Sequence, residues 1–305
     1  MTTFAPFSAG QAEQMRYLDQ VWPEYGHSLQ VAAAFSGGMG WKSVRGVDYL
    51  VRYHSEDGKK KFTSYGKRSP ETEAKFRTWE DTTGRARRIV KEKKDEVALA
   101  CRLAKAHGVG RLHGRLAEML ERCWYLDVTK RLSLFGGSAL MAYEGAASAL
   151  MPLDLVKEDR LHFVSRVGYD ELGLEELVDV VCDVDRTGCE SVRKRDRVSI
   201  VTSEGEPRAE IYLSGHFQRT AETDRQAETL DEALNMLRWK GLTVARDGRP
   251  VELTSLHPSA YAVLANTMGN DLWDARAEAA FDIREAIDPD GPELEIPGRE
   301  SLRGP

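Results

Sequence analysis

A short apolar run, Leu132, Leu134 and Phe135, leads into Gly136-Gly137-Ser138 and then into the helix-forming stretch 139–144. That order has a chemical use. Two glycines let a backbone approach a ligand closely, and a serine at a helix start sits among free N–H groups that bind phosphate oxygens. Downstream, residues 151–156 read as a further strand carrying Asp154. Carboxylates on a strand beside such a turn hold the divalent metals that bridge phosphates, and two Mg²⁺ ions so held align an attacking hydroxyl with a leaving pyrophosphate. The plain alternative is a tight turn before a helix.

Several elements must position this turn. A first helix is expected from Ser8 to about Val21, ending near Pro23. Alternation through 41–53 reads as one strand, turned by Glu56-Asp57-Gly58 into a second strand through Phe62 and Tyr65. Ser69-Pro70-Glu71 opens a long helical pattern to about His107, with a break expected near Gly84, and a second helix spans 112–124. Strands are expected at 151–156 and 161–164, a helix at 172–181, and hairpins at 198–202 with 209–213 and 242–245 with 251–253. Helices at 258–268 and 271–287 follow. The Pro-, Gly- and charge-rich tail beyond Asp288 reads as disordered. The fold class is therefore α/β (α+β): a mixed sheet with flanking helices plus an N-terminal β-hairpin and helical region. Boundaries are expected at 127/128 and 287/288.

The stretches Gly38-Met39-Gly40-Trp41-Lys42, Tyr49-Leu50-Val51-Arg52 and Ser69-Pro70-Glu71-Thr72-Glu73 recur in order with Gly137-Ser138 and Ala139-Leu140-Met141-Ala142-Tyr143-Glu144. Together, from 37 to 287, they resemble a bacterial nucleotidyltransferase family of the polymerase-β-like superfamily. The resemblance implies a nucleotide held by Gly136, Gly137 and Ser138, with Mg²⁺ (or Mn²⁺) and an NTP as cofactors. It implies Asp154 and Glu210 as catalytic, metal-holding acids. The chain departs from the pattern where Pro152 stands in place of the first acid of the Asp-x-Asp pair, and no Lys occurs in 260–265. Glu158 and Asp159 lie just beyond as substitutes if the strand register differs, or as a solvated turn. Such transferases serve in toxin–antitoxin and defence systems, a context the resemblance alone implies.

Charge is divided unevenly. Residues 42–115 hold 20 Lys/Arg against 10 Asp/Glu, whereas the whole chain is −6 and the rest therefore −16. A basic region of this kind suits RNA or DNA, with Lys42, Arg52 and Arg68 as candidate phosphate contacts; a salt-bridged, solvated helix is the alternative. Cys101, Cys123, Cys182 and Cys189 form no CxxC pair, and no His sits at ligand-like spacing from them. No apolar run is long enough to span a bilayer, which leads to an expected cytoplasmic location and no membrane partner. Two functions stay open: metal-dependent nucleotide transfer from an NTP to a hydroxyl on RNA, protein or a small molecule, or a non-catalytic descendant that binds nucleotide, nucleic acid or a partner protein.

Overall fold

Alternating apolar residues and strong turn chemistry build a three-stranded and a seven-stranded sheet among the described residues, beside a short antiparallel pairing of 5–6 with 149–150. The computed structural model describes residues 4–35, 37–56, 59–165, 174–290 and 294. In chain order it forms β1 (Ala5–Pro6), α1 (Ala9–Ala34), β2 (Gly38–Val44), β3 (Val47–Glu56), β4 (Lys59–Lys67), α2 (Pro70–Ala106) and α3 (Gly114–Tyr125). After a 3₁₀ turn come β5 (Ser133–Phe135), α4 (Gly137–Ala147), β6 (Ala149–Leu150), α5 (Leu153–Val156), β7 (Leu161–Ser165), α6 (Leu174–Asp185), β8 (Cys189–Arg193), β9 (Arg197–Thr202) and β10 (Pro207–Leu213). The rest is α7 (Ser214–Gln218), α8 (Asp224–Asn235), β11 (Arg238–Val244), β12 (Pro250–Leu256), α9 (Pro258–Asn266) and α10 (Asp271–Ile287). No helix of the described residues is long and apolar enough to cross a membrane.

The chain divides into two compact units, 17–100 and a second made of 1–16 with 101–305. The expected boundary at 127/128 is not where they part, because α3 buries Leu116, Met119, Leu120 and Cys123 in the core of the larger unit.

In the smaller unit, β2, β3 and β4 form an antiparallel sheet in that order. The single strand expected over 41–53 is instead two strands. Arg45 and Gly46 both take positive φ, 52° and 75°, which is the backbone of a two-residue hairpin turn matching strand twist. α2 starts as its sequence suggests: the Ser69 hydroxyl accepts from the Thr72 amide at 3.3 Å, Pro70 fills the first helical position, and Glu71 and Glu73 face the positive end of the helix. It runs unbroken through Gly84, against the expected interruption. α1 likewise continues through Pro23, which is exposed while Val21, Trp22, Gly26 and Ser28 beside it are buried. Burial of that face outweighs the hydrogen bond a proline removes.

The larger unit holds a seven-stranded mixed sheet in the order β11-β12-β5-β7-β10-β9-β8. β5 runs parallel to β12 and antiparallel to β7, and β7 runs parallel to β10. Phe135, fully buried at the end of β5, stacks on Trp273 of α10 with centroids 4.5 Å apart. α4 is buried almost throughout its first two turns, and β11 passes so near it that a Cβ on Gly241 would lie 1.9 Å from the Ala142 carbonyl. The hairpin of β9 and β10, the hairpin of β11 and β12, and α10 stand where the sequence places them. β8 adds an edge strand that no sequence pattern announces.

The strand expected over 151–156 does not form. Glu144 accepts the Met151 amide at 2.9 Å, and Arg111, in ion contact with the same carboxylate, donates to the Met151 carbonyl at 2.7 Å. With both backbone groups taken, Met151 has nothing left for a ladder. Pro152 then begins the one-turn helix α5. The expected disorder beyond Asp288 falls, apart from 288–290 and 294, outside the described residues, as do residues 172 and 173 of the expected helix.

Candidate functional site

The chain leaves β5 through Gly136, whose φ of 78° and ψ of −163° belong to a region essentially reserved for glycine. That turn aims the first amides of α4 at the segment between α5 and β7, and Glu158 answers them. Its carboxylate accepts from the Gly137 amide, from the Ser138 amide at 2.9 Å and from the Ser138 hydroxyl at 3.1 Å. Arg276 of α10 donates to the Leu155 carbonyl at 2.9 Å and pairs with Glu158 at 3.1 Å. The two charged side chains are 3% and 4% exposed, so the pair is a buried one with most of its hydrogen-bonding capacity satisfied.

The glycines are fixed by this contact. A Cβ on Gly136 would lie 2.2 Å from a Glu158 oxygen, and one on Gly137 would lie 2.7 Å from the Leu155 carbonyl. The Gly136 carbonyl accepts from the Tyr261 hydroxyl at 2.9 Å, which ties the turn to α9.

Beyond Glu158, β7 and β10 pair in parallel register, setting Glu210 opposite His162. Glu210 accepts from the Tyr212 hydroxyl at 2.7 Å and lies 3.7 Å from Arg197 of β9 and 3.7 Å from His162 Nδ1. His162 Nε2 is 4.0 Å from Glu158. The His162 ring stacks on Tyr212 and meets Trp273 edge-on at 5.6 Å. Burial holds the His162 imidazole below its ordinary pKa, outweighing the pull of Glu158 and Glu210, which favours the uncharged ring at neutral pH. Because the Tyr212 proton goes to Glu210, the bond at 3.3 Å between Tyr212 and His162 needs Nδ1 to carry the ring proton. Burial, with Glu210 next, raises the Tyr212 phenol above its ordinary range.

Asp154 occupies a different position from the one expected. It is exposed on α5 and makes no hydrogen bond or ion pair among the described residues. Glu210, Gly136, Gly137 and Ser138 are gathered at one end of the sheet; Asp154 is not joined to them by any such contact. Among the described residues no three His, Cys, Asp or Glu side chains converge as a metal site. Glu210 already shares its oxygens with Tyr212 and Arg197, and His162 stands within 4.0 Å of Glu158 and 3.7 Å of Glu210. This donor set does not fit a two-metal centre, whereas the Gly137 and Ser138 donors do fit an anion's oxygens.

In the smaller unit, Arg52 donates to the Ala34 carbonyl at 2.8 Å, and Arg68 is held by Glu73 at 2.7 Å and Asp48 at 3.6 Å. Those two arginines brace the fold. Lys42 is exposed, its ammonium 4.7 Å from the centre of the Phe62 ring.

No sequence motif singles out His162, Tyr212 or Arg276, and Glu158 enters there only as a substitute acid. A carboxylate four residues ahead of a histidine at a strand start is the available signal.

Comparison with protein-family models, curated proteins and solved structures gives no match, so the resemblance to nucleotidyltransferases rests on the motifs alone.

Proposed function

We propose that this chain is a nucleotidyltransferase-like binding protein that holds the phosphate end of a nucleotide at Gly137 and Ser138 without metal-dependent transfer. One observation carries the reading: three donors of the α4 N-terminus converge on a single carboxylate. A group of donors that satisfies Glu158 presents the charge and spacing a phosphate oxygen requires. Phosphate enters by exchange, since the Glu158 carboxylate and a nucleotide phosphate compete for the same amides. When Glu158 is displaced, the phosphate takes its place beside Arg276. Bound nucleotide would supply the phosphate charge; Gly137, Ser138 and Arg276 would bind and orient it.

The loss of chemistry follows from the acids. Asp154 is exposed and makes no hydrogen bond or ion pair among the described residues, Pro152 brings no ligand, and Glu210 is engaged by Tyr212 and Arg197.

The test is equilibrium dialysis of labelled ATP and GTP against wild type and Ser138→Ala, alongside incubation of wild type with each labelled NTP, Mg²⁺ or Mn²⁺ and total RNA. The expected result is saturable nucleotide binding that weakens in Ser138→Ala, with no label passing to RNA or protein. Label transfer by wild type would restore the enzyme reading, and absence of any saturable binding would remove the nucleotide site.

A further inference from the structure

Strand alternation sorts the small sheet into two chemically different faces. The register of β3 with β2 and β4 places Lys42, Tyr49, Tyr53, Phe62 and Lys67 on one side. Trp41, Asp48 and Leu50 fall on the other, where Leu50 is fully buried and Trp41 meets Phe76 of α2 at 6.0 Å. The first side is the more open one, with Val51 alone buried among its described side chains. Phe62 is 57% exposed, Lys42 and Lys67 are exposed, and Tyr49 and Tyr53 are half-buried.

Its geometry is that of a platform. Gly38 and Gly40 have no side chain where a Cβ would come 3.9 and 3.8 Å from the Tyr53 ring, so this ring lies over bare backbone. Phe62 stands against Tyr53 with centroids 6.1 Å apart. Lys42 covers part of Phe62, an interaction worth about 0.5–1 kcal/mol at an exposed site and therefore easily exchanged. Among the described side chains of these strands the one carboxylate, Asp48, points to the opposite face and is paired with Arg68. The open face thus offers aromatic rings and cations with no described acid.

We propose that this face binds single-stranded nucleic acid, with bases stacking on Phe62 and Tyr53 and phosphates meeting Lys42 and Lys67. Rings of this kind need the π-face of an unstacked base, which a duplex withholds. Cations without interleaved acids suit a phosphate backbone and an acidic protein surface alike, so the aromatic pair decides the occupant. The proposal is independent of the Ser138 site, because the residues and the ligand measured are different.

The experiment is fluorescence anisotropy of the full chain with labelled twelve-nucleotide oligo(U) and oligo(dT), and with a duplex of matching length. Binding is expected for the single strands and weaker for the duplex. Phe62→Ala should weaken single-strand binding about 10-fold or more, while Phe62→Trp retains it. The double variant Lys42→Gln, Lys67→Gln should flatten the log–log salt dependence by about 1.4, at roughly 0.7 for each phosphate no longer neutralised. Thermal melts of each variant check folding, which the exposure of all three side chains favours. Equal affinity for duplex, an unchanged Phe62→Ala, or no single-strand binding by wild type would each overturn the proposal.

Discussion

Ser138 donates from both its amide and its hydroxyl, at 2.9 and 3.1 Å, to a single oxygen of Glu158, a residue twenty positions further along the chain. The helix N-terminus that a phosphate would use is occupied by the protein's own carboxylate. Arg276 stands behind that carboxylate and is 2% exposed. Removing Arg276 leaves Glu158 charged and buried without its cation. Arg276→Leu should therefore lower stability by about 3 kcal/mol or more, the usual cost of breaking a buried pair. Urea melts of the variant against wild type check this, and a loss under 1 kcal/mol would show that the helix amides alone hold Glu158.

Two glycines should respond in opposite directions to the same change. Gly241→Ala forces a methyl to within 1.9 Å of the Ala142 carbonyl, between β11 and α4, and should cost about 1–3 kcal/mol or more as overpacking. Gly84→Ala lies mid-helix in α2 with no atom within 4 Å of its added Cβ, and should stabilise by about 0.5–1 kcal/mol. Paired thermal melts decide both. A stabilised Gly241→Ala would mean that the strand is not seated on α4 as described.

Asp154→Ala should be silent. The side chain is exposed and without a bond or ion pair among the described residues, so stability should stay within about 0.5 kcal/mol of wild type. Nucleotide binding should be unchanged as well. A clear loss of binding in dialysis would bring Asp154 back into the site.

The contrast between Asp154 and Glu158 also shows where sequence reading succeeds and where it stops. The β9–β10 and β11–β12 hairpins and α10 are legible because their turn residues, alternation and caps are local; Asn270, for example, accepts from the Trp273 amide at 3.2 Å where α10 starts. The order of β5, the Gly-Gly-Ser turn and α4 is legible for the same reason. The segment 151–156 is not. Its apolar residues look like a strand, but Arg111 and Glu144, forty and seven positions away, consume the backbone groups of Met151. With no strand there, β5 pairs with β12 and β7, and the acid beside the turn is Glu158 rather than Asp154. The Arg45-Gly46 turn escapes notice because alternation runs on through it. No local pattern announces that Arg276 reaches Glu158 across 118 residues of chain.

Stability should fall as the solution is made mildly acidic. Burial lowers the imidazole pKa of His162, His216 and His257 from the ordinary 6.5. Between each lowered value and 6.5, the unfolded chain binds protons that the folded chain does not. The stabilising contribution is complete above pH 6.5 and declines as pH drops below it toward the folded values. Urea melts at pH 7.5 and 5.5 should show this decline, and His162→Gln should reduce its slope. A chain equally stable at both values would contradict the neutral, buried state assigned to these rings.

If Glu158 holds the place of a nucleotide phosphate, isothermal titration of wild type and Glu158→Gln with ATP and with inorganic tripolyphosphate will reveal the competition. Thermal melting confirms that the variant is folded before titration. The variant keeps one neutral carbonyl oxygen to compete for the amides of Gly137 and Ser138 in place of two charged ones, and it leaves Arg276 without its ion-pair partner, so both ligands should bind Glu158→Gln at least about 10-fold more tightly than wild type, a difference of about 1.4 kcal/mol. Equal or weaker binding by a folded Glu158→Gln would rule out that competition and make Glu158 a structural cap alone.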